Sequence, residues 1–307
     1  MNRTEKMRRL RRLRQTVVLA VALAVTGLVV PPSAVREAPA SLVKVESAGG
    51  VDHEPHVLWV LFLGSDARPG QPILHSRADA IQLVGVNTLT GAATAIGIPR
   101  DSYVNIPGYG QNKINSSMLY GGPQLMARSV GDMVGIRPDY VFTTGFVGFK
   151  AMVGDIGGIT VDSKFSFTDP VMPGGYRVGK NTLNGHQALI FSRIRKSLPR
   201  GDFDRSANQQ RTLLGILNKV RSNVDKPGLM ERGVLSVVKN LDTNLPPAEL
   251  YRLASAASTI SPGKFRTCVV EGGVGYAGAA SVVFPDMAQA RSIGNRARSD
   301  ATLTGPC

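Results

Sequence analysis

Residues 57–63 read Val-Leu-Trp-Val-Leu-Phe-Leu, seven apolar side chains in a row that stop at Gly64. In an extended chain successive side chains point to opposite faces, so this run is apolar on both. Such a strand needs an apolar cover on each side, which suits the centre of a layered α/β domain. The rest of the pattern agrees. Residues 80–86 and 92–98 read as two more strands, joined by a turn over 87–91. Residues 123–134 read as a helix with Pro123 in its first turn, 140–144 as a strand and 146–155 as a helix. The clearest helical spacing lies in 183–194 and 203–224. Residues 234–258 read as mostly helical with a break at Pro246-Pro247, 265–270 as a late strand, and Pro285 as the opening of a last helix. Strands alternating with helices predict one layered α/β domain.

The amino terminus has a different character. Its first fifteen residues hold seven basic side chains and one acid, Glu5. Residues 16–30 are uncharged and mostly apolar and end at Pro31-Pro32. A basic stretch before an apolar run is the mark of a secretory signal or signal anchor. The run is short for a spanning helix, which needs ~17–25 residues, although snorkelling arginines extend its reach. Ala38-Pro39-Ala40 resembles a cleavage site. An uncleaved anchor and a cleaved signal both export the remainder of the chain. The expected organisation is a cytoplasmic tail 1–15, an anchor 16–32, a Pro/Ala/Gly/Ser-rich linker 33–55, a domain 56–300 and a short tail 301–307.

The formal charge of +14 includes a positive remainder outside the basic tail, which favours an anionic partner. The chain has two cysteines, Cys268 and Cys307. In an exported protein they can pair; the alternative is a buried thiol and an unrelated terminal one.

Four polar clusters stand beside these apolar runs: 64–68 after the first strand, 76–79 before the second, 99–101 after the third, and a broad group from Arg193 to Gln209. Each alone has an ordinary reading: Asp66 as a turn cap, Arg77 and Asp79 as a solvated pair, Arg100 and Asp101 as a structural ion pair. Together, several arginines beside a few carboxylates are what a diphosphate-plus-metal site requires. The guanidinium fork matches phosphate oxygens, and Mg²⁺ takes carboxylates together with phosphate oxygens. Arg205 and Gln209, four apart, share one helix face that continues as Leu213, Ile216, Leu217 and Val220. The four histidines have no zinc-like spacing with the cysteines, and neither a phosphate-binding Gly-x-x-x-x-Gly-Lys-Ser/Thr loop nor a Gly-x-Ser-x-Gly elbow is present.

In order along the chain stand Leu-Gly-Ser-Asp-Ala-Arg (63–68), Arg-Ala-Asp (77–79), Ile-Pro-Arg-Asp (98–101), Lys-Ile-Asn (113–115), Tyr-Gly-Gly-Pro (120–123), Leu-Asn-Gly-His-Gln-Ala-Leu (183–189), Arg-x-Arg (193–195) and Arg-Gly-Asp-Phe-Asp-Arg (200–205). This series resembles the LytR-CpsA-Psr family from about residue 57 to 224, and more weakly to about 295. The resemblance implies a three-layer α/β/α domain with a central mixed sheet and an apolar tunnel for a polyprenyl chain, preceded by one transmembrane helix. It implies a membrane enzyme of type II topology, with its catalytic domain outside the cell. That enzyme moves a glycopolymer from a polyprenyl diphosphate to a peptidoglycan hydroxyl, typically the muramyl C6 hydroxyl, and releases polyprenyl phosphate. Asp66 and Asp79 are then the expected Mg²⁺ ligands. Arg77, Arg100, Arg193, Arg195 and Arg205 are the expected phosphate grips, joined by Gln209 and Lys113. Asp101 either pairs with one of these arginines or activates the acceptor hydroxyl. His186 stands where the family has an acid, and Asp204 where it has glycine. The glycopolymer stays open among teichoic acid, capsule and arabinogalactan. Two other readings remain: a hydrolase of the same lipid diphosphate, and a non-catalytic scaffold or regulator. Nucleic acid is not an expected partner, because only the short basic tail lies in the cytoplasm.

Overall fold

A computed structural model describes residues 40–46, 56–68, 70–170, 172–222 and 241–307. The basic tail and the apolar run 16–30 lie outside these residues. No helix among the described residues is long and apolar enough to cross a membrane.

The strands run in chain order as β1 (Ala40–Lys44), β2 (Val57–Ser65), β3 (Ala78–Asn87), β4 (Ala93–Gly97), β5 (Tyr103–Ile106), β6 (Gly110–Lys113), β7 (Tyr140–Thr144), β8 (Ile159–Ser163), β9 (Phe167–Asp169), β10 (Met172–Tyr176), β11 (Gly179–Leu183), β12 (Leu241–Thr243), β13 (Phe265–Val269), β14 (Gly272–Ala277) and β15 (Ala280–Pro285). The helices are α1 (Ser116–Val134), α2 (Phe146–Asp155), α3 (Gly185–Arg193), α4 (Asp202–Ser222), α5 (Pro247–Thr259) and α6 (Met287–Ala297). Seven strands form one mixed sheet in the order β12-β1-β7-β2-β3-β4-β13. The pairs β12/β1, β7/β2 and β4/β13 are parallel; β1/β7, β2/β3 and β3/β4 are antiparallel.

The doubly apolar run is β2, near the middle of the sheet. Its odd positions Trp59, Leu61 and Leu63 pack with Leu125, Met126 and Val130 of α1 and Ile293 of α6. Its even positions Leu58 and Val60 pack with Leu253 and Ala256 of α5. On β3, Val84 and Val86 meet Leu213 and Leu217 of α4. Helices therefore cover both faces of the sheet, as the apolar run requires. A smaller core joins α2, α3 and the hairpins β8/β11 and β9/β10, where Phe167, Tyr176 and Phe191 stack. That core sets where the end of α3 points.

The structure corrects the outline in five places. Residues 40–44, read as linker, form β1, paired with β7 on one side and β12 on the other. Five residues are too few for a periodic signal, and both partners are far away in sequence. Residues 241–243, read as helix, form β12 for the same reason. The tail 301–307 is docked, with Ala301 and Leu303 in the main core. Pro285 ends β15, and the last helix starts after Asp286, whose side chain accepts from the Gln289 N–H at 2.9 Å. The helix read from Pro123 also has an earlier turn, Ser116–Tyr120, split off where Gly122 takes φ 61°.

Helices α1 and α6 touch so closely that a methyl group at Gly294 would overlap the Val134 carbonyl. Gly294→Ala should cost ~1–3 kcal/mol, the usual scale of overpacking. Scanning calorimetry would read this as a lower Tm, by ~2–4 °C per kcal/mol for a domain of this size. An unchanged Tm would show that the two helices separate without cost.

Candidate functional site

The polar clusters meet where β2 ends, β3 begins and β4 gives way to a turn. At the start of β3 the ladder slips: Gly64 pairs with Ala80 but Ser65 with Ala78, which leaves Asp79 as the extra residue of a bulge. Bulges re-aim side chains next to functional sites. The slip is held by a reciprocal clasp. Asp66 N–H donates to the Arg77 carbonyl at 2.9 Å, and Arg77 N–H donates to Asp66 Oδ1 at 3.0 Å. Asp66, the residue after β2, is thereby held against Arg77, two residues before the bulged Asp79. The Arg77 side chain is exposed.

The turn after β4 is pinned at both ends. Ser102 N–H donates to the Pro99 carbonyl at 3.0 Å, and Asn115 N–H to the Arg100 carbonyl at 3.3 Å. Arg100 Nη1 is hydrogen-bonded to Asp79 Oδ1. Its Nε lies 3.9 Å from Asp101 Oδ1, and has no hydrogen-bond partner among the described residues. Burial by itself lowers the pKa of Arg100; the charges of Asp79, Asp101 and Asp202 outweigh it, and the net displacement is upward.

The remaining arginines arrive from α3 and α4. Arg193, the last residue of α3, places Nε 3.7 Å from Asp79 Oδ2 and its guanidinium carbon 4.2 Å from the centre of the Phe146 ring. The chain then turns extended at Ile194, and Arg195 Nη1 donates to Asp101 Oδ2 at 3.0 Å. Lys113, from the end of β6, sits 3.2 Å from Asp101 Oδ1. Arg205, one turn into α4, pairs with Asp202. Burial pushes its pKa below the usual guanidinium value; Asp202 opposes this, and the positive fields of Arg100 and Arg195 add to it. Arg205 stands one helical turn before Gln209 on the same face of α4, beside the cluster.

Seven of the expected residues thus form one contact network: Asp79, Arg100, Asp101, Lys113, Arg193, Arg195 and Gln209. Arg205 joins it through its field, and Asp66 and Arg77 stand beside it on the backbone clasp. Five cations (Arg100, Lys113, Arg193, Arg195, Arg205) face three carboxylates (Asp79, Asp101, Asp202), so the cluster is net positive. A partly buried excess of positive charge around the Arg100 Nε–H is suited to an anion with several oxygens.

Gln209 departs from its expected role. Its Nε2 donates to the carbonyls of Asp79 and Ser192, both at 3.2 Å, and its Oε1 accepts from Gln82 Nε2 at 3.0 Å. The amide hydrogens are used within the protein, so Gln209 braces β3, α3 and α4 and is not a free donor to phosphate. Gln82 and Phe146 are neighbours of the site that the sequence reading missed. Gln82 was legible in principle, as the polar residue inside an otherwise apolar strand. Arg200 turns away from the cluster, to Asp204 at 3.0 Å and Glu271 at 2.9 Å. Asp204, the departure from glycine, is buried there and also accepts from the Arg200 N–H at 2.8 Å.

No group of three or more metal-ligating side chains occurs among the described residues. The donor chemistry at the bulge still fits a hard cation of the Mg²⁺ type, which needs one or two carboxylates and completes its shell with water and phosphate oxygens. One oxygen of Asp66 takes the Arg77 N–H, and both oxygens of Asp79 lie against arginines.

A model of the LytR_cpsA_psr family matches residues 33–299. Among curated proteins, the chain is 36% identical over 218 residues to the polyisoprenyl-teichoic acid–peptidoglycan teichoic acid transferase TagU of Bacillus licheniformis, covering 69% of this chain and 67% of that protein. To the TagU of Bacillus subtilis strain 168 it is 37% identical over 201 residues, covering 64% of this chain and 62% of that protein. The chain therefore spans about two thirds of the length of these relatives, and slightly less in the second. Among solved structures, one described as TagT bound to LI-WTA superposes with a TM-score of 0.65 at 26% identity, over 80% of this chain and 91% of that one.

Proposed function

The chain belongs to the LytR-CpsA-Psr family, and from that premise we propose that it is a transferase that moves a glycopolymer of the teichoic acid class from a polyprenyl diphosphate carrier to a hydroxyl of peptidoglycan. The observation that carries this reading is the net-positive cluster around Asp79 and Asp101, assembled from β3, the turn after β4, β6, α3 and α4. TagU proteins, the relatives at 36–37% identity, carry this activity in their names.

Arg100, Arg193, Arg195, Arg205 and Lys113 grip the diphosphate, with the exposed Arg77 at its rim. Asp79 and Asp101 hold the guanidinium groups in place before the lipid arrives, so little reorganisation is left for the reaction itself. The acceptor oxygen attacks the sugar-linked phosphorus, and a new P–O bond forms. The bond from that phosphorus to the bridging oxygen breaks, and polyprenyl phosphate leaves with the electron pair. The hydroxyl proton passes to water or to a phosphate oxygen. A loose phosphoryl transition state makes positioning and charge stabilisation the main tasks. Asp101 contacts three cations, which suits it to orient them. Asp66 and Asp79 would be the residues to hold Mg²⁺, which would neutralise charge on the phosphates. The polyprenyl tail would run between the sheet face of Leu58, Val60 and Val84 and the helices that cover it, on the side where α4 turns from polar at Arg205 and Gln209 to apolar at Leu213 and Leu217. The basic tail and the apolar run 16–30 would hold the domain at the outer face of the membrane, in type II topology.

Full-length protein in detergent, given Mg²⁺, a lipid-diphosphate-linked teichoic acid and peptidoglycan, should release polyprenyl monophosphate and leave polymer joined to glycan through a phosphodiester. Mass spectrometry distinguishes this from hydrolysis. Free phosphorylated polymer as the sole product would replace the transferase reading with a hydrolase. Asp79→Ala should raise the Mg²⁺ concentration needed for half-maximal rate; an unchanged requirement would remove Asp79 from the metal site.

A further inference from the structure

The chain enters the domain at the end of the sheet that carries the charged cluster. Ala40, the first residue of β1, pairs with Thr144 of β7, and Thr144 pairs with Gly64 near the end of β2. The apolar run 16–30 ends ten residues before Ala40, and ten residues reach at most ~36 Å. An anchor over 16–30 would keep this end of the domain beside the bilayer.

Two segments at the same end, 67–78 and 102–131, contain no acidic residue. Arg68 and Arg77 are exposed on the first. The acids that precede the segments are engaged within the protein. Asp66 Oδ1 accepts the Arg77 N–H at 3.0 Å, and Asp101 holds Lys113 at 3.2 Å and Arg195 at 3.0 Å. The two segments lie against each other. Ala78 N–H donates to the Asn115 carbonyl at 3.4 Å. In the short helical turn Ile73–His75, His75 Cε1 lies 3.5 Å from the place that a Cβ on Gly122 of α1 would take. Ile73 Cγ2 lies 3.2 Å from the corresponding place on Gly145, just before α2.

Apolar side chains face solvent along this line of contacts: Val147 is 62% exposed, Tyr109 55%, Leu119 40% and Tyr120 38%. The Tyr109 and Tyr120 rings stack at 4.8 Å, and Asn112 Nδ2 donates to the Tyr120 hydroxyl at 2.9 Å. Exposed apolar groups gathered in this way mark an interaction site.

We propose that this end of the domain, through Tyr109, Leu119, Tyr120, Val147, Arg68 and Arg77, docks on an anionic phospholipid surface. This rests on the membrane-anchor reading of the amino terminus. Tyrosine and leucine enter the headgroup layer, tyrosine with its hydroxyl still wet, and arginine is drawn to the lipid charge. Two segments without a carboxylate suit an anionic surface better than a neutral glycan. Docking sets Arg77 and Lys113, which also belong to the cluster, near the height of the headgroups. A lipid diphosphate then meets the arginines as it leaves the bilayer.

The test compares two reporters in the full-length protein. Tyr109→Trp lies on the proposed face. Leu89→Trp lies in the exposed turn between β3 and β4, at the opposite end of the sheet. The native tryptophan, Trp59, is buried. The protein is reconstituted into vesicles of phosphatidylglycerol or of phosphatidylcholine, each carrying a bromine-labelled lipid. In phosphatidylglycerol, Tyr109→Trp should be quenched and Leu89→Trp should not; phosphatidylcholine should quench Tyr109→Trp less. Arg68→Glu, added to Tyr109→Trp, should lower the ratio of docked to undocked protein about fivefold or more, the scale of one cation at an anionic surface. Arg68 is exposed, so Tm should not move. The proposal is overturned if the two reporters are quenched alike, if phosphatidylcholine quenches Tyr109→Trp as strongly, or if Arg68→Glu changes nothing. It is also overturned if Tyr109→Trp emission shifts to shorter wavelength without vesicles, either as protein concentration rises or on adding peptidoglycan fragments; the occupant is then a second copy or a glycan. Flotation with phosphatidylcholine vesicles reports the anchor alone. A protein that floats without selective quenching keeps the anchor and loses the docking face. One that does not float there but is selectively quenched by phosphatidylglycerol loses the anchor and keeps the face.

Discussion

Replacing Arg100 with alanine should slow transfer by ~10²–10³-fold, the cost of removing one preorganised charge-stabilising group. Arg100 spans the two carboxylates at the centre of the cluster, Asp79 and Asp101, and its buried Nε is left without a hydrogen-bond partner among the described residues. An incoming phosphate oxygen would satisfy that donor. The effect on folding should be smaller. Asp79 keeps Arg193 at 3.7 Å, and Asp101 keeps Lys113 at 3.2 Å and Arg195 at 3.0 Å, so neither carboxylate is stranded. Stranding a buried charge is what makes broken ion pairs costly. Lysine should restore only part of the rate, since it keeps the charge and loses the planar fork. Single-turnover transfer and a melting curve on the same preparation decide the matter. A large drop in Tm with unchanged specific activity in the surviving folded protein would make Arg100 a structural residue only.

The second large effect concerns Cys268 and Cys307, which are joined with Cα atoms 5.6 Å apart and a sequence separation of 39. Converting both to serine should destabilise the domain by ~2–4 kcal/mol, chiefly by freeing the unfolded chain. The corresponding fall in Tm is ~2–4 °C per kcal/mol. Activity at low temperature should survive, because the segment before Cys307 is docked by other contacts. Trp59 Nε1 donates to the Arg298 carbonyl at 3.3 Å, Thr94 Oγ1 to the Ala301 carbonyl at 2.8 Å, and Arg296 Nη1 to the Thr304 carbonyl at 2.8 Å. Cys268 also matters through its backbone, since its carbonyl accepts from Gln210 Nε2 at 2.7 Å. Calorimetry of the oxidised and double-serine proteins tests this, with thiol labelling of unreduced, unfolded protein as a control. Equal melting temperatures would show that the bridge contributes nothing to the native fold.

The central layer is legible in the amino-acid sequence. The run 57–63 suits a strand covered on both faces, and it is β2, between β7 and β3. The helical spacing read from residue 203 is α4, described over Asp202–Ser222, and residues 146–155 are α2. These features depend on near neighbours in the chain, whose periodicity a sequence displays directly. The residue types of the site are legible for a similar reason: arginines, a lysine and a few carboxylates suit a diphosphate, and they stand together in short motifs.

What the sequence could not determine is which distant residues meet. Strand β1 has an ordinary five-residue sequence, and only pairing with β7 and β12 makes it a strand. Arg195 and Asp101, 94 residues apart, become partners because the second core, around Phe167, Tyr176 and Phe191, directs the end of α3 toward the turn after β4. Gln209 reads as a phosphate donor in the sequence, but the packing of α4 against β3 places two backbone carbonyls on its amide. Local order is set by side-chain periodicity and is written in consecutive residues. Ion partners, bracing contacts and the end of the sheet at which the chain enters are set by sheet order and register, which come into being only when the whole chain closes on itself.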